Sequence, residues 1–346
     1  MIEKIFNKIW YTQKGEDYFF FYVLIRLSML PITFIYYMII SLRRRAYEFN
    51  LLKTYNFKTP IIIVGNHTVG GSGKTPFCIW LANHLSAKGF KIGIVSSGYK
   101  SSSKIPQLVN DKSHPDIVGD EAVLMSKLTK ANIVSCGNRV EATKVLINKF
   151  HNNIIIHDDG LQHLALGRKL EIILSKNNFN LDSYNAIGFI NLLPSGPYRD
   201  LEYQLSPAFY QQRKKKENGF NNRIYAHGCI STINKNLRNS ITNTVENIEA
   251  FKNKTVHLVS GIASVSEICA SLKQNNINVI IHKYNDHYKF NGSEFDFNDS
   301  FPIFVTAKDH VKLYNLKNEK VWIINQELII NKDFIKKIDK KVDLII

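Results

Sequence analysis

"IIIVGNHTVGGSGKTPFCIW", Ile61 to Trp80, changes character every few residues, and the order of those changes decides the fold. The β-branched run Ile61 to Val64 reads as a short parallel strand buried on both faces. A glycine loop follows, then Gly73-Lys74-Thr75, and "FCIWLANHL" predicts a helix with Phe77, Trp80, Leu81 and Leu85 on one face. Strand, glycine loop, Gly-Lys-Thr and helix is the context of a phosphate-binding P-loop. Gly70, Gly71 and Gly73 let backbone N–H groups surround phosphate oxygens, and the helix N-terminus adds partial positive charge. Lys74 can reach the β and γ phosphates, Thr75 can offer its hydroxyl to Mg²⁺, and Pro76 costs no hydrogen bond in the first turn. The predicted nucleotide contacts are therefore Thr68, Val69, Gly70, Gly71, Ser72, Gly73, Lys74 and Thr75. A strict G-x-x-x-x-G-K-[S/T] pattern would have glycine where Thr68 stands.

A second strand supplies the acidic partner. In "NNIIIHDDGLQH", Ile154 to Ile156 form another buried run that ends at His157, Asp158 and Asp159. Carboxylates at the carboxyl end of a neighbouring parallel strand are where such a site holds magnesium, so Asp158 and Asp159 are candidate metal ligands. Between the two strands, "VGDEAVLMSKL" places Asp120 and Glu121 at the start of a helix. From the residues alone, that pair reads first as helix capping and charge balance.

The formal charge of +16 indicates an anionic partner: nucleic acid, a membrane surface or a phosphorylated substrate. Four scattered cysteines without a CxxC pair argue against a metal cluster or disulfide framework and suit a reducing compartment. Near the N-terminus, Phe19 to Leu42 is almost wholly apolar and is followed by Arg43, Arg44 and Arg45. That length and flanking charge predict a membrane-associated helix over residues 1–45, with the rest of the chain cytoplasmic. It either spans the bilayer or lies partly in it with Arg26 snorkelling to the headgroups. The segment is too long and starts too late for a cleavable signal peptide.

The expected fold class is α/β: a P-loop NTPase-like parallel sheet over 46–205, then a smaller α/β unit over 206–346 whose C-terminal helix can pack back on the first. "NLLPSGPYRDL" (191–201) reads as a loop in which Arg199 can clamp phosphate with a bidentate fork. The run Arg213 to Lys216 reads as solvated surface, available to acidic lipids. Beyond it, "RIYAHG", "TVHLVSG", "NVIIHKY", "FPIFVTA" and "KVWIIN" read as strands, and "SVSEICASLKQ" and "KDHVKLYNL" as helices. Asp286 and His287 in "KYNDHYKF" are, by themselves, weak evidence of a site.

Taken together, "GNHTVGGSGKTP", "VGDEAVLM", "HDDGLQH", "LLPSGPYRD", "NDHYKF" and "VTAKDHVKL" resemble, in order and spacing, the tetraacyldisaccharide 4'-kinase family of Gram-negative bacteria. That family's loop also has threonine at the position of Thr68. The resemblance implies two α/β/α domains with the active site in the cleft, at the cytoplasmic face of the inner membrane. It implies an ATP- and Mg²⁺-dependent lipid kinase that phosphorylates the 4'-hydroxyl of an acylated glucosamine disaccharide 1-phosphate, giving lipid IVA. By the same resemblance Asp120 is the general base and His287 supports it. Thr75, Glu121, Asp158 and Asp159 form the metal side, and Lys74 and Arg199 meet phosphate. The implied partners are the lipid substrate and an anionic membrane surface, with no nucleic acid and a monomeric chain. Departures from the family pattern are Ser97 and Lys100 in "SSGYK", Ala307 in place of glutamate, and Asp200 after Arg199.

The principal alternative is a membrane-tethered P-loop ATPase switch, which leaves Asp120 and His287 without a role. A GTPase lacks an NKxD-type guanine-reading sequence at a suitable place. A degenerate nucleotide site in a lipid-binding protein conflicts with intact Lys74, Thr75 and Asp158.

Overall fold

The β-branched runs form the centre of the first sheet. The computed structural model describes residues 2–12, 15–70, 73–98, 105–174, 188–201, 223–226, 230–233, 235–262, 265–285, 288–313 and 316–346. Its first strands are β1 (Ile61–Gly65), β2 (Ile92–Ser96), β3 (Gln107–Val109), β4 (Asn132–Ser135), β5 (Ile154–Asp158), β6 (Leu170–Leu174) and β7 (Arg223–Ala226). They make a seven-stranded sheet in the order β3-β4-β2-β5-β1-β6-β7. Every neighbouring pair is parallel except β3 with β4.

Alternation of side chains across the pleat explains why β1 is apolar throughout. Ile62 and Val64 pack on the face that holds Phe77, Leu81 and Leu85 of α4 (Lys74–Ala87). Ile61 and Ile63 face the other way, into the cluster containing Leu146 of α7 (Arg139–Phe150). Helices α5 (Pro115–Val118) and α6 (Asp120–Leu128) lie between β3 and β4 in the chain, and α6 adds Ala122 and Met125 to the α4 side.

A six-stranded sheet follows, built from β9 (Asn236–Asn239), β10 (Val245–Asn247), β11 (Thr255–Ser260), β12 (Asn278–Lys283), β13 (Ile303–Thr306) and β14 (Val321–Ile324). Its order is β10-β9-β14-β13-β11-β12, parallel from β14 to β12 and antiparallel at β9 and β10. Helix α8 (Val265–Gln274) covers it, and the single turn α9 (Ala307–His310) leaves the end of β13. Strand β8 (Ile230–Ile233) pairs with β15 (Gln326–Ile329) in a separate ribbon. The chain then closes with α10 (Lys332–Asp343), whose Phe334, Ile338 and Val342 recur at every fourth position and pack into the core around Phe77.

Three expectations change. The segment "RIYAHG", read as the opening of the second unit, contains β7, which pairs with β6 and extends the first sheet. Of the helix expected over "KDHVKLYNL", the described residues show the single turn α9, which ends at His310. The single N-terminal helix is three: α1 (Ile2–Tyr11), α2 (Phe19–Ser28) and α3 (Leu30–Glu48). Among the described residues no single helix is long and apolar enough to cross a membrane, while α2 and α3 pass that test as a pair bent by 51°. The break falls where Pro31, in the first turn of α3, cannot donate to the preceding turn. Arg26 does not reach outward; its Nε donates to the Ser195 carbonyl at 2.9 Å and its Nη2 to Asn191 Oδ1 at 3.1 Å.

Candidate functional site

Register brings the two acidic and basic motifs together. β1 and β5 are neighbours with Val64 opposite Asp158, so the glycine loop and the Asp158–Asp159 turn leave the same sheet edge. Gly73 caps α4 with φ of +73°, a left-handed conformation that a residue with a Cβ adopts only at a cost. Lys74 and Thr75 then begin the helix, with Thr75 buried. Gly71 and Ser72 lie outside the described residues, as do Asp286, His287, Lys100 and the run Arg213 to Lys216. Thr68, Val69 and Gly70 are in place ahead of the helix. Thr68 forms a bridge with Tyr198, and the Val69 N–H donates to the Pro197 carbonyl at 2.9 Å.

Around Asp158 the contacts are those of a buried acid. The Thr75 hydroxyl donates to its Oδ2 at 3.4 Å, and the Cys78 thiol lies 3.7 Å from Oδ1. Burial, then the nearby Glu121 and Asp159 carboxylates, push Asp158 well above the usual carboxylate range, against the pull of Lys74 and Arg139. Asp159 behaves oppositely. Burial works against its charge, but bonds from Arg199 and the proximity of Lys74 hold it below the usual range. Arg199 meets it as a fork, Nη1 to Oδ2 at 2.9 Å and Nη2 to Oδ1 at 2.8 Å, while Lys74 Nζ is 3.8 Å from Oδ1. Asp159 itself has φ of +51°, the kind of backbone strain found where a side chain must be aimed.

Asp120 and Glu121 open α6 after Gly119, whose φ of +91° and ψ of 144° suit glycine alone. Asp120 is buried, and its Oδ1 accepts the Glu121 N–H at 2.9 Å. The Glu121 carboxylate accepts from Lys308 of α9 at 3.1 Å, so one ion pair joins α6 of the first sheet to the edge of the second.

Four further participants escaped the sequence reading. Arg139, almost fully buried, donates Nη2 to the Asp158 carbonyl at 3.0 Å. Its signal was a charged residue in the first turn after a parallel strand, the same placement that flagged Lys74. Asn66 receives Arg199 Nη2 on its carbonyl at 2.9 Å, and Cys78 packs on Asp158. Lys308 lay within a recognised motif, but its partner is far away in the chain and left no local trace.

The donor set fits magnesium. Thr75 and the acidic groups are hard oxygens, and mutual repulsion among Glu121, Asp158 and Asp159 favours a cation between them. Among the described residues no three His, Cys, Asp or Glu side chains are grouped closely enough to hold a metal ion together.

Comparison with known proteins establishes the family. The family model described as LpxK, tetraacyldisaccharide-1-P 4'-kinase, matches residues 25–343. A tetraacyldisaccharide 4'-kinase from Coxiella burnetii (strain Dugway 5J108-111) is 37% identical over 307 residues, covering 88% of this chain and 87% of its own length. One from Ruthia magnifica is 34% identical, covering 92% and 98%. The crystal structure of the "apo" form of LpxK from Aquifex aeolicus in complex with ATP superposes with a TM-score of 0.71 at 27% identity, over 93% of this chain and 99% of that one. With the match running from α2 to the end of α10, the chain belongs to the tetraacyldisaccharide-1-phosphate 4'-kinase family.

Proposed function

We propose that this protein transfers the γ-phosphate of ATP to the 4'-hydroxyl of a tetraacylated glucosamine disaccharide 1-phosphate, a step of lipid A biosynthesis. The observation that carries this reading is the convergence of Lys74 and Arg199 on Asp159, and of Thr75 on Asp158, at one sheet edge. Asp120 and Glu121 open α6, and Glu121 is near enough to push Asp158 up. The cofactors are ATP and magnesium. Thr75, Glu121, Asp158 and Asp159 would hold the metal, which would neutralise charge on the transferred phosphate.

The residues divide the chemistry. Asp120 accepts the proton of the 4'-hydroxyl as the sugar oxygen bonds to the γ-phosphorus and the bond to the bridging oxygen of ADP breaks. His287, outside the described residues, is assigned the support of Asp120. Lys74 follows the phosphate charge, and Arg199, fixed by Asp159, contributes its positive charge beside it.

The substrate's acyl chains need an apolar surface. Ile32, Ile35, Ile39 and Leu42 of α3 are exposed on one face, and Phe20 and Leu24 of α2 continue it. We place this face in the cytoplasmic leaflet of the inner membrane, as a bent wedge with Arg43 and Arg45 at the headgroups. The two sheets act as a nucleotide-binding domain and a smaller lid-side domain in a monomeric enzyme.

The decisive measurement uses mixed micelles, radiolabelled ATP and the acylated disaccharide. Label in the lipid is the expected result, and ATP hydrolysis without transfer would favour the ATPase switch. In the same assay Asp120→Ala should cut turnover about 100-fold or more while ATP binding stays within about threefold. Equal losses in both would assign Asp120 to folding or metal binding instead.

A further inference from the structure

The backbone of Arg199 is pinned from two sides. Its N–H donates to the His67 carbonyl of the glycine loop at 2.7 Å. Its own carbonyl accepts the Tyr36 hydroxyl of α3 at 2.6 Å. The next residue, Asp200, accepts Arg44 of α3 through Nε at 3.0 Å and Nη2 at 2.7 Å. Four residues before Arg199, the Ser195 N–H donates to Thr33 Oγ1 at 3.1 Å. With both main-chain groups engaged, only side-chain torsions remain free, and Asp159 with the Asn66 carbonyl fixes those.

Thr33, Tyr36 and Arg44 fall on one stripe of α3, following the three-and-four residue spacing of a helix face. Thr33 is fully buried and Arg44 largely so. Burying polar groups carries a free-energy cost unless each finds a partner, and apolar packing alone would secure an anchor. This stripe instead places hydrogen bonds on the two residues that define the position of the Arg199 backbone. The flank of the same helix beside Tyr36 carries the exposed Ile32, Ile35 and Ile39.

We propose that Tyr36 and Arg44 are positioning residues for phosphoryl transfer. They hold the Arg199 backbone so that its fork meets Asp159, and they tie the geometry of the phosphate site to the helix that contacts lipid. This rests on the kinase reading, because it requires Arg199 to act in transfer. A misplacement of about 1 Å at a reacting group can cost 100-fold, so a partial loss of hold should cost about tenfold.

The test uses full-length protein in lipid micelles. Tyr36→Phe and Arg44→Ala should each lower kcat about tenfold with the ATP KM within about twofold, and Arg44→Lys should recover part of the loss. In an Arg199→Ala background, neither substitution should reduce kcat further, because there is no longer a fork to position. Losses that multiply with that of Arg199→Ala, or lowered thermal stability with kcat unchanged, would overturn the inference and leave α3 as a strut. If wild-type protein transfers no phosphate to lipid, the kinase reading falls and takes this inference with it. An active wild type with multiplicative losses removes the inference alone.

Discussion

Replacing Arg199 with lysine keeps the charge and removes the fork. Arg199 makes three short contacts, at 2.9 and 2.8 Å to Asp159 and 2.9 Å to the Asn66 carbonyl. A lysine ammonium is a point charge on a flexible stem and can restore about one of them. Charge-assisted bonds contribute about 1.5–3 kcal/mol when buried. Here the side chains of Arg199 and Asp159 retain 23% and 32% exposure, so solvent screening reduces the figure to about 1 kcal/mol per bond. Two lost bonds then cost about 2 kcal/mol. Asp159 would also be left to draw on Lys74, now 3.8 Å away, in competition with the incoming phosphate. If the whole cost falls on the transition state, kcat/KM for ATP drops about 30-fold. Steady-state transfer of radiolabel to lipid measures this, with thermal unfolding as the control, where a shift of only a few degrees is expected. Activity within about threefold of wild type would refute the reasoning, since it would mean a single ammonium does everything the fork does.

Three further outcomes follow from the same contacts. Lys308→Met removes the ion pair to Glu121, which is partly exposed, so stability should change by less than about 1 kcal/mol in denaturant titration. The KM for the lipid should rise, because α6 loses its tie to the second sheet. Ile338→Ala opens a void in the core under α4 and should cost about 2–4 kcal/mol by the same titration. His310 is held down to about 4, first by burial and then by Lys127 and Arg238. Its unfolded form takes up a proton near 6.5, so its contribution to stability is fully present above that pH and is lost as pH falls from about 6.5 towards 4. His310→Asn should therefore flatten the fall in melting temperature between pH 6.5 and 4.5; an unchanged slope would assign the acid sensitivity elsewhere.

What could be read in the sequence, and what could not, follows the range of the interactions. Ile61–Val64 and Ile154–Ile156 announce themselves because both faces of a central parallel strand are buried and every position is apolar. Their adjacency places Lys74 beside Asp159 with no further information needed. Strands such as Asn236–Asn239 and Val245–Asn247, the last two at one end of the second sheet, carry few apolar residues and exist through pairing. The apolar stretch at 19–42 was visible, yet its break at Met29 depended on weighing Pro31 against an otherwise continuous apolar run. Helix α10 had a legible stripe in Phe334, Ile338 and Val342, but its docking site against α4 lies some two hundred and fifty residues upstream, as in the pairing of His84 with Asp339.

The two cations at Asp159 are held differently, and the difference separates their roles. Arg199 makes two bonds below 3 Å to the carboxylate and has its backbone fixed at both ends, so leaving Asp159 would break several contacts at once. Lys74 approaches the same carboxylate at 3.8 Å from the first turn of α4. A contact of that length between partly exposed groups contributes under about 1 kcal/mol, less than a phosphate group in a glycine loop can offer a lysine. Nucleotide arrival should therefore draw Lys74 away from Asp159 and leave Arg199 where it stands. Asp159 then loses one of its two cations while remaining partly buried, and the shortfall in positive charge falls on the side where Asp158, Glu121 and Thr75 offer oxygen ligands. If those oxygens hold magnesium as proposed, the acidic cluster should become more receptive to it as the triphosphate enters, and the two should bind cooperatively without any change in fold.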